Sequence, residues 1–144
     1  MHGVVPPTVT AFRDDEPGDY GTTAAHARFV VDRGAHAVFP LGTNGECPLL
    51  TGEKRTGGVE CVVGEVGGEV PVITGVGAPS TYEPVAQAER AGIEGVVSVT
   101  PCYYPIDHDA ALTHYRRVAE SVSVPVYITH IPSKTGNALS LELV

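Results

Sequence analysis

A chain of 144 residues is sized for one domain with a respectable buried core. Its formal net charge is −8, from 17 acidic residues against 9 basic ones, and its two lysines are Lys54 and Lys134. This balance excludes nucleic-acid binding through phosphates and suits a salt-adapted, acidic surface.

Val4 to Phe12 reads as a strand, with Pro6 and Pro7 confined to its early part. Thr22 to Arg33 reads as a helix, with Ala25, Phe29 and Val30 at helical spacing and Gly34 ending it. Ala35 to Leu41 is a second strand. Thr51 to about Val66 is a second helix, although Gly57, Gly58 and Gly64 are poor helix formers. Pro71 to Val76 is a third strand, and Ser80 to Ala91 a third helix with Ser80 as its cap ahead of Glu83. Gly95 to Thr100, Asp107 to Val122 and Val124 to Ile131 continue the alternation as strand, helix and strand. Ser140-Leu-Glu-Leu reads as the opening turn of another helix.

Strand centres recur at roughly 25 to 35 residues, the repeat of a β/α unit. The strands are continuous apolar runs such as PVITGVG and GVVSVT, which signals a parallel sheet covered on its faces. Two architectures remain, a small doubly wound sheet or part of a (β/α)8 barrel. Each strand ends in polar or unusual chemistry: Thr10, then GTNGE, GVGAPS, TPCYYP and THIPSKTG. Five decorated ends favour the barrel, which gathers such ends on one face. The expected fold is therefore α/β, a partial TIM barrel of about five parallel strands and four to five helices. It forms one domain over residues 1–144.

Cys47, Cys61 and Cys102 are odd in number and form no CxxC pair, so neither a disulfide framework nor a structural zinc site is expected. The six histidines are scattered and suggest no metal cluster. No signal-peptide pattern or membrane-length apolar run is present, which leads to the expectation of a soluble, cytoplasmic protein without a membrane partner.

GTNGE with LTGEKR downstream, TPCYY after the fourth strand and IPSKTG after the fifth closely resemble the dihydrodipicolinate synthase and N-acetylneuraminate lyase family. Its members are class I, Schiff-base aldolases and lyases acting on pyruvate and other 2-keto acids. The resemblance runs from about Val4 to Val144 and covers the N-terminal half of the family barrel. It implies that Thr43 and Asn44, flanked by Gly42 and Gly45, hold the pyruvate carboxylate; the alternative is a plain turn ahead of a helix capped by Thr51. Glu46 is expected to brace the loop. The resemblance also implies that Tyr103 reaches a neighbouring subunit's site and relays protons, and that Lys134 recognises the distal end of the substrate.

Lys134 stands where the synthases carry arginine, and an ammonium cannot grip a carboxylate in a fork. This turns the expected substrate toward sugar-derived keto acids. Counting back from Pro132 puts Thr129 at the family's proton-shuttling tyrosine, while Tyr127 lies on the same face about 6.6 Å lower. Proton transfer would then need His130 or a water.

The family's Schiff-base lysine lies on the sixth strand, beyond these residues. The expectation is a lyase of the 4-hydroxy-tetrahydrodipicolinate synthase type, truncated before that strand and inactive as this fragment. The alternatives are a 2-keto-3-deoxygluconate-type aldolase and a non-catalytic 2-keto acid-binding remnant. No organic cofactor is expected. Family members form tetramers of dimers.

Overall fold

Five extended stretches lie side by side, parallel and in sequence order. The computed structural model describes residues 2–14, 18–77 and 92–143. Strand β1 (Ile73–Gly75) pairs with β2 (Gly95–Val99), and β2 pairs with β3 (Val126–Thr129). The two earlier stretches join this sheet through single parallel bridges, Pro7 to Phe39 and Val38 to Val72.

Proline explains why those two stretches do not form full ladders. Pro6, Pro7 and Pro40 have no N–H to donate, so none of the three can supply a ladder bond. The rungs that do form have ordinary lengths. Phe39 donates to the Pro6 carbonyl at 3.1 Å, Thr8 to Phe39 at 3.0 Å and Gly75 to Pro40 at 3.1 Å.

Helix α1 (Tyr20–Asp32) begins two residues before the expected Thr22, because Asp19 caps it by accepting from the Thr22 N–H at 3.0 Å. Helix α2 (Gly52–Val66) starts at its expected cap, with Thr51 accepting from the Lys54 N–H at 3.3 Å. One of its glycines serves packing: the Tyr20 ring lies directly over Gly57, where a Cβ would come within 2.7 Å of Cζ. Arg28 ties the two helices, reaching Glu65 at 3.2 Å and Glu69 at 2.7 Å.

Helix α3 (His108–Glu120) is capped by Asp107, and a single turn, α4 (Pro132–Thr135), follows β3. That turn was not expected from the sequence. The expected helix over Ser80 to Ala91, with its Ser80 cap, lies outside the described residues.

Strand side chains alternate between two environments. Val38, Val72, Val76 and Val96 point toward the helices and pack with Val59, Val62, Val66 and Val118 in one cluster. The opposite parity, including Val97, Val99 and Thr129, faces inward and lines a cavity.

Behind β2 the outward face is partly polar. Ser98 Oγ lies 3.4 Å from His114 Nε2, and the Tyr115 hydroxyl donates to Thr100 at 3.2 Å. Burial holds the His114 imidazolium below the usual histidine range. An unfolded histidine titrates near pKa 6.5, so below about that pH the unfolded chain takes up a proton that the folded chain refuses. Stability is expected to fall as pH drops through and below this point, toward the lower folded pKa. Urea midpoints at pH 7.5 and 5.5 measure it, and His114→Gln should flatten the difference.

Candidate functional site at the strand ends

The stretch Gly42 to Leu50 is a sequence of tight turns. The Gly45 N–H donates to Gly42 at 3.1 Å, Glu46 to Thr43 at 3.2 Å and Leu49 to Glu46 at 2.9 Å. A 3₁₀ turn over Cys47–Leu49 then leads into α2. Leu41 and Glu46 bracket the loop with φ of 57° and 53°, a left-handed conformation that costs energy for any residue but glycine.

Three attachments hold the loop to the sheet. Thr10 Oγ1 donates to the buried Gly45 carbonyl at 2.8 Å. Arg55 donates to the Leu50 carbonyl at 3.1 Å and to Gly77 at 3.3 Å. Gly75 on β1 lies directly beneath the Leu41 carbonyl, where any Cβ would collide with the oxygen. Glu46 braces the loop through its backbone. Among the described residues its carboxylate makes no hydrogen bond.

A cavity of about 570 Å³ opens beside this loop. Of the residues singled out from sequence, Gly42, Thr43, Asn44, Thr129 and Lys134 all line it. Among the described residues, neither the side chains nor the amide N–H groups of Thr43 and Asn44 are engaged by other protein groups. Two amides, a hydroxyl and a carboxamide are thus available to an anion.

Gly45 does not line the cavity; it acts through its backbone within the turns. Tyr103 is also outside the lining. It stands 85% exposed at φ 83°, its ring edge-on to Tyr104 at 4.9 Å. Cys102 lines the cavity instead.

His130 was the candidate proton carrier, but its Nε2 accepts from the Leu139 N–H at 3.1 Å, and it does not line the cavity. Tyr127 packs low on β3 against Gly95, where a Cβ would come within 3.0 Å of its ring. It is therefore no substitute for a tyrosine at position 129. Cys47, in the cavity wall, is buried, and burial pushes its thiol up against the opposing influence of Arg55. No motif had singled out Asn137, whose carboxamide joins two of the loops, nor Thr10 and Arg55 as anchors of the turn.

Parallel strands in sequence order, helices on their outer face and a cavity at their C-terminal ends define a β/α-barrel protein. The chain belongs to the dihydrodipicolinate synthetase family, whose sequence model matches residues 1–144. A relative from Halobacterium salinarum, an uncharacterized DapA-like lyase, is 67% identical over 145 residues, covering 99% of this chain and 48% of its own. The 4-hydroxy-tetrahydrodipicolinate synthase of Methanopyrus kandleri is 36% identical, covering 99% of this chain and 49% of its own.

Among solved structures, dihydrodipicolinate synthase from Aquifex aeolicus superposes with a TM-score of 0.93 at 32% identity, covering 99% of this chain and 50% of that one. YagE of Escherichia coli K12, a prophage protein of the same family solved in complex with pyruvate, also gives a TM-score of 0.93, at 30% identity. There the match covers 98% of this chain and 48% of that one. The chain spans about half the length of the curated relatives it matches.

Proposed function

We propose that these residues form the 2-keto acid-holding half of a pyruvate-dependent carbon–carbon lyase or synthase. The observation that carries this reading is the placement of Thr43 and Asn44, with unengaged donors, in one cavity with Thr129 and Lys134. The keto-acid carboxylate accepts hydrogen bonds from the Thr43 hydroxyl and the loop amides. Lys134, exposed at the other side, meets a polar group at the distal end of the substrate.

The carbonyl carbon of the keto acid is attacked by an amine, and water leaves as the imine forms. Loss of a C3 proton gives an enamine, which adds to an aldehyde; cleavage runs the same steps backwards. Such an amine works from a buried, desolvated position. Neither lysine present meets that need, since Lys54 lies on α2 and Lys134 is exposed. These 144 residues alone are therefore inactive, and the nucleophile comes from a further part of the barrel.

Lys134 and Thr129 favour a second reading within the same chemistry, an aldolase of 2-keto-3-deoxy sugar acids. A point charge and a short hydroxyl suit a polyhydroxylated tail better than a second carboxylate.

Calorimetry with pyruvate tests the cradle. A hydrogen bond to a charged group is worth about 1.5–3 kcal/mol, so Thr43→Ala should weaken binding about tenfold or more. Unchanged affinity would reject the cradle. Borohydride reduction in the presence of pyruvate should leave the mass of this chain unchanged. An adduct on Lys54 or Lys134 would overturn the assignment of the amine.

A further inference from the structure

The segment from Pro101 to Ile106 carries Cys102 into the cavity wall and leaves Tyr103 and Tyr104 exposed outside it. Among the described residues it makes no backbone–backbone hydrogen bond. Pro101 and Pro105 have no N–H to offer, and Tyr103 sits at φ 83°. A segment so strained and so poor in ladder bonds must be held by something else.

One side chain does this. Asn137 is 6% exposed, and its Nδ2 donates to Pro101 at 2.9 Å and Tyr104 at 3.0 Å, with a longer contact to Thr135 at 3.4 Å. Its Oδ1 accepts from the Ile106 N–H at 3.0 Å. The carboxamide thereby closes both ends of the loop. The residue itself is anchored by reciprocal bonds with Thr135, at 3.1 and 3.3 Å, on the turn that carries Lys134.

We propose that Asn137 is a positioning residue of the cavity mouth: its carboxamide sets where Cys102 and Tyr103 stand relative to Lys134. A shift of the Lys134 turn is then passed to Cys102 and the Tyr103–Tyr104 pair through one side chain. The inference concerns the loop and stands independently of which ligand the cavity takes.

The test is site-resolved alkylation by iodoacetamide, followed by mass spectrometry, with Cys61 on α2 as an internal control. Asn137→Ala is expected to speed labelling of Cys102 about tenfold or more while Cys61 keeps its wild-type rate, because local opening and global opening are separate events. Asn137→Asp retains the shape and the acceptor for Ile106 but loses both amide donors, so it should behave like Asn137→Ala. A merely space-filling role would let Asp restore the wild-type rate.

A ¹⁹F spectrum of the chain with 3-fluorotyrosine at position 103 should give one line in the wild type and a broadened or split one in either variant. An unchanged Cys102 rate, or equal acceleration at Cys61, overturns the proposal. If Asn137→Ala does not fold, Asn137→Ser, with a shorter donor, is read by the same criteria.

Discussion

Gly75→Ala is expected to lower the free energy of unfolding by about 3 kcal/mol. The β-carbon would be driven into the Leu41 carbonyl oxygen, which is backbone and cannot swing aside. Leu41 is already strained at φ 57°, and the Gly75 N–H is bonded to Pro40 at 3.1 Å, so neither strand can retreat without breaking a rung. Urea denaturation measures the loss.

Gly64→Ala is the control. It sits on the exposed side of α2 where a Cβ meets nothing within 4 Å, and alanine should stabilise that helix by about 0.8–1 kcal/mol. If both variants matched the wild type, the close approach of the loop to β1 would be wrong. The site would lose its floor with it, since Gly75 and Gly42 both line the cavity.

The second large effect separates two threonines on the first extended stretch. Thr10→Val should cost about 1–3 kcal/mol, because the buried Gly45 carbonyl loses its 2.8 Å donor and no other among the described residues replaces it. Thr8→Val should be neutral or stabilising. The Thr8 hydroxyl is fully buried and has no hydrogen-bond partner among the described residues, so a methyl group relieves an unmet donor. Thermal or urea unfolding of the two variants gives the comparison. Equal losses would mean that Thr10 contributes through packing alone. The Thr10 variant should also bind pyruvate more weakly, since the turn that presents Thr43 and Asn44 is released from the sheet.

The order of strands and helices was legible in the sequence because parallel β/α units write apolar runs between turn residues, and that pattern is local. Asp107 and Thr51 mark helix starts by their own side chains, and the structure begins α3 and α2 immediately after them. Paired motifs at the strand ends identified Thr43, Asn44, Thr129 and Lys134, and the cavity unites them. The helix over Ser80 to Ala91 lies outside the described residues.

The apolar periodicity and the motifs, by themselves, determined the β/α alternation, the family and several of the residues that line the cavity. Both are recorded in spacing along the chain. Only the tertiary structure decided which groups hold those residues in place. Asn137 meets Pro101 and Tyr104 across 36 and 33 positions, Thr10 meets Gly45 across 35, and Arg55 meets Gly77 across 22. Such bonds form where strand ends converge in space, and distance along the chain carries no trace of them. The same convergence leaves Tyr103 outside the cavity and admits Cys102, because a left-handed backbone at residue 103 turns the ring away from the wall.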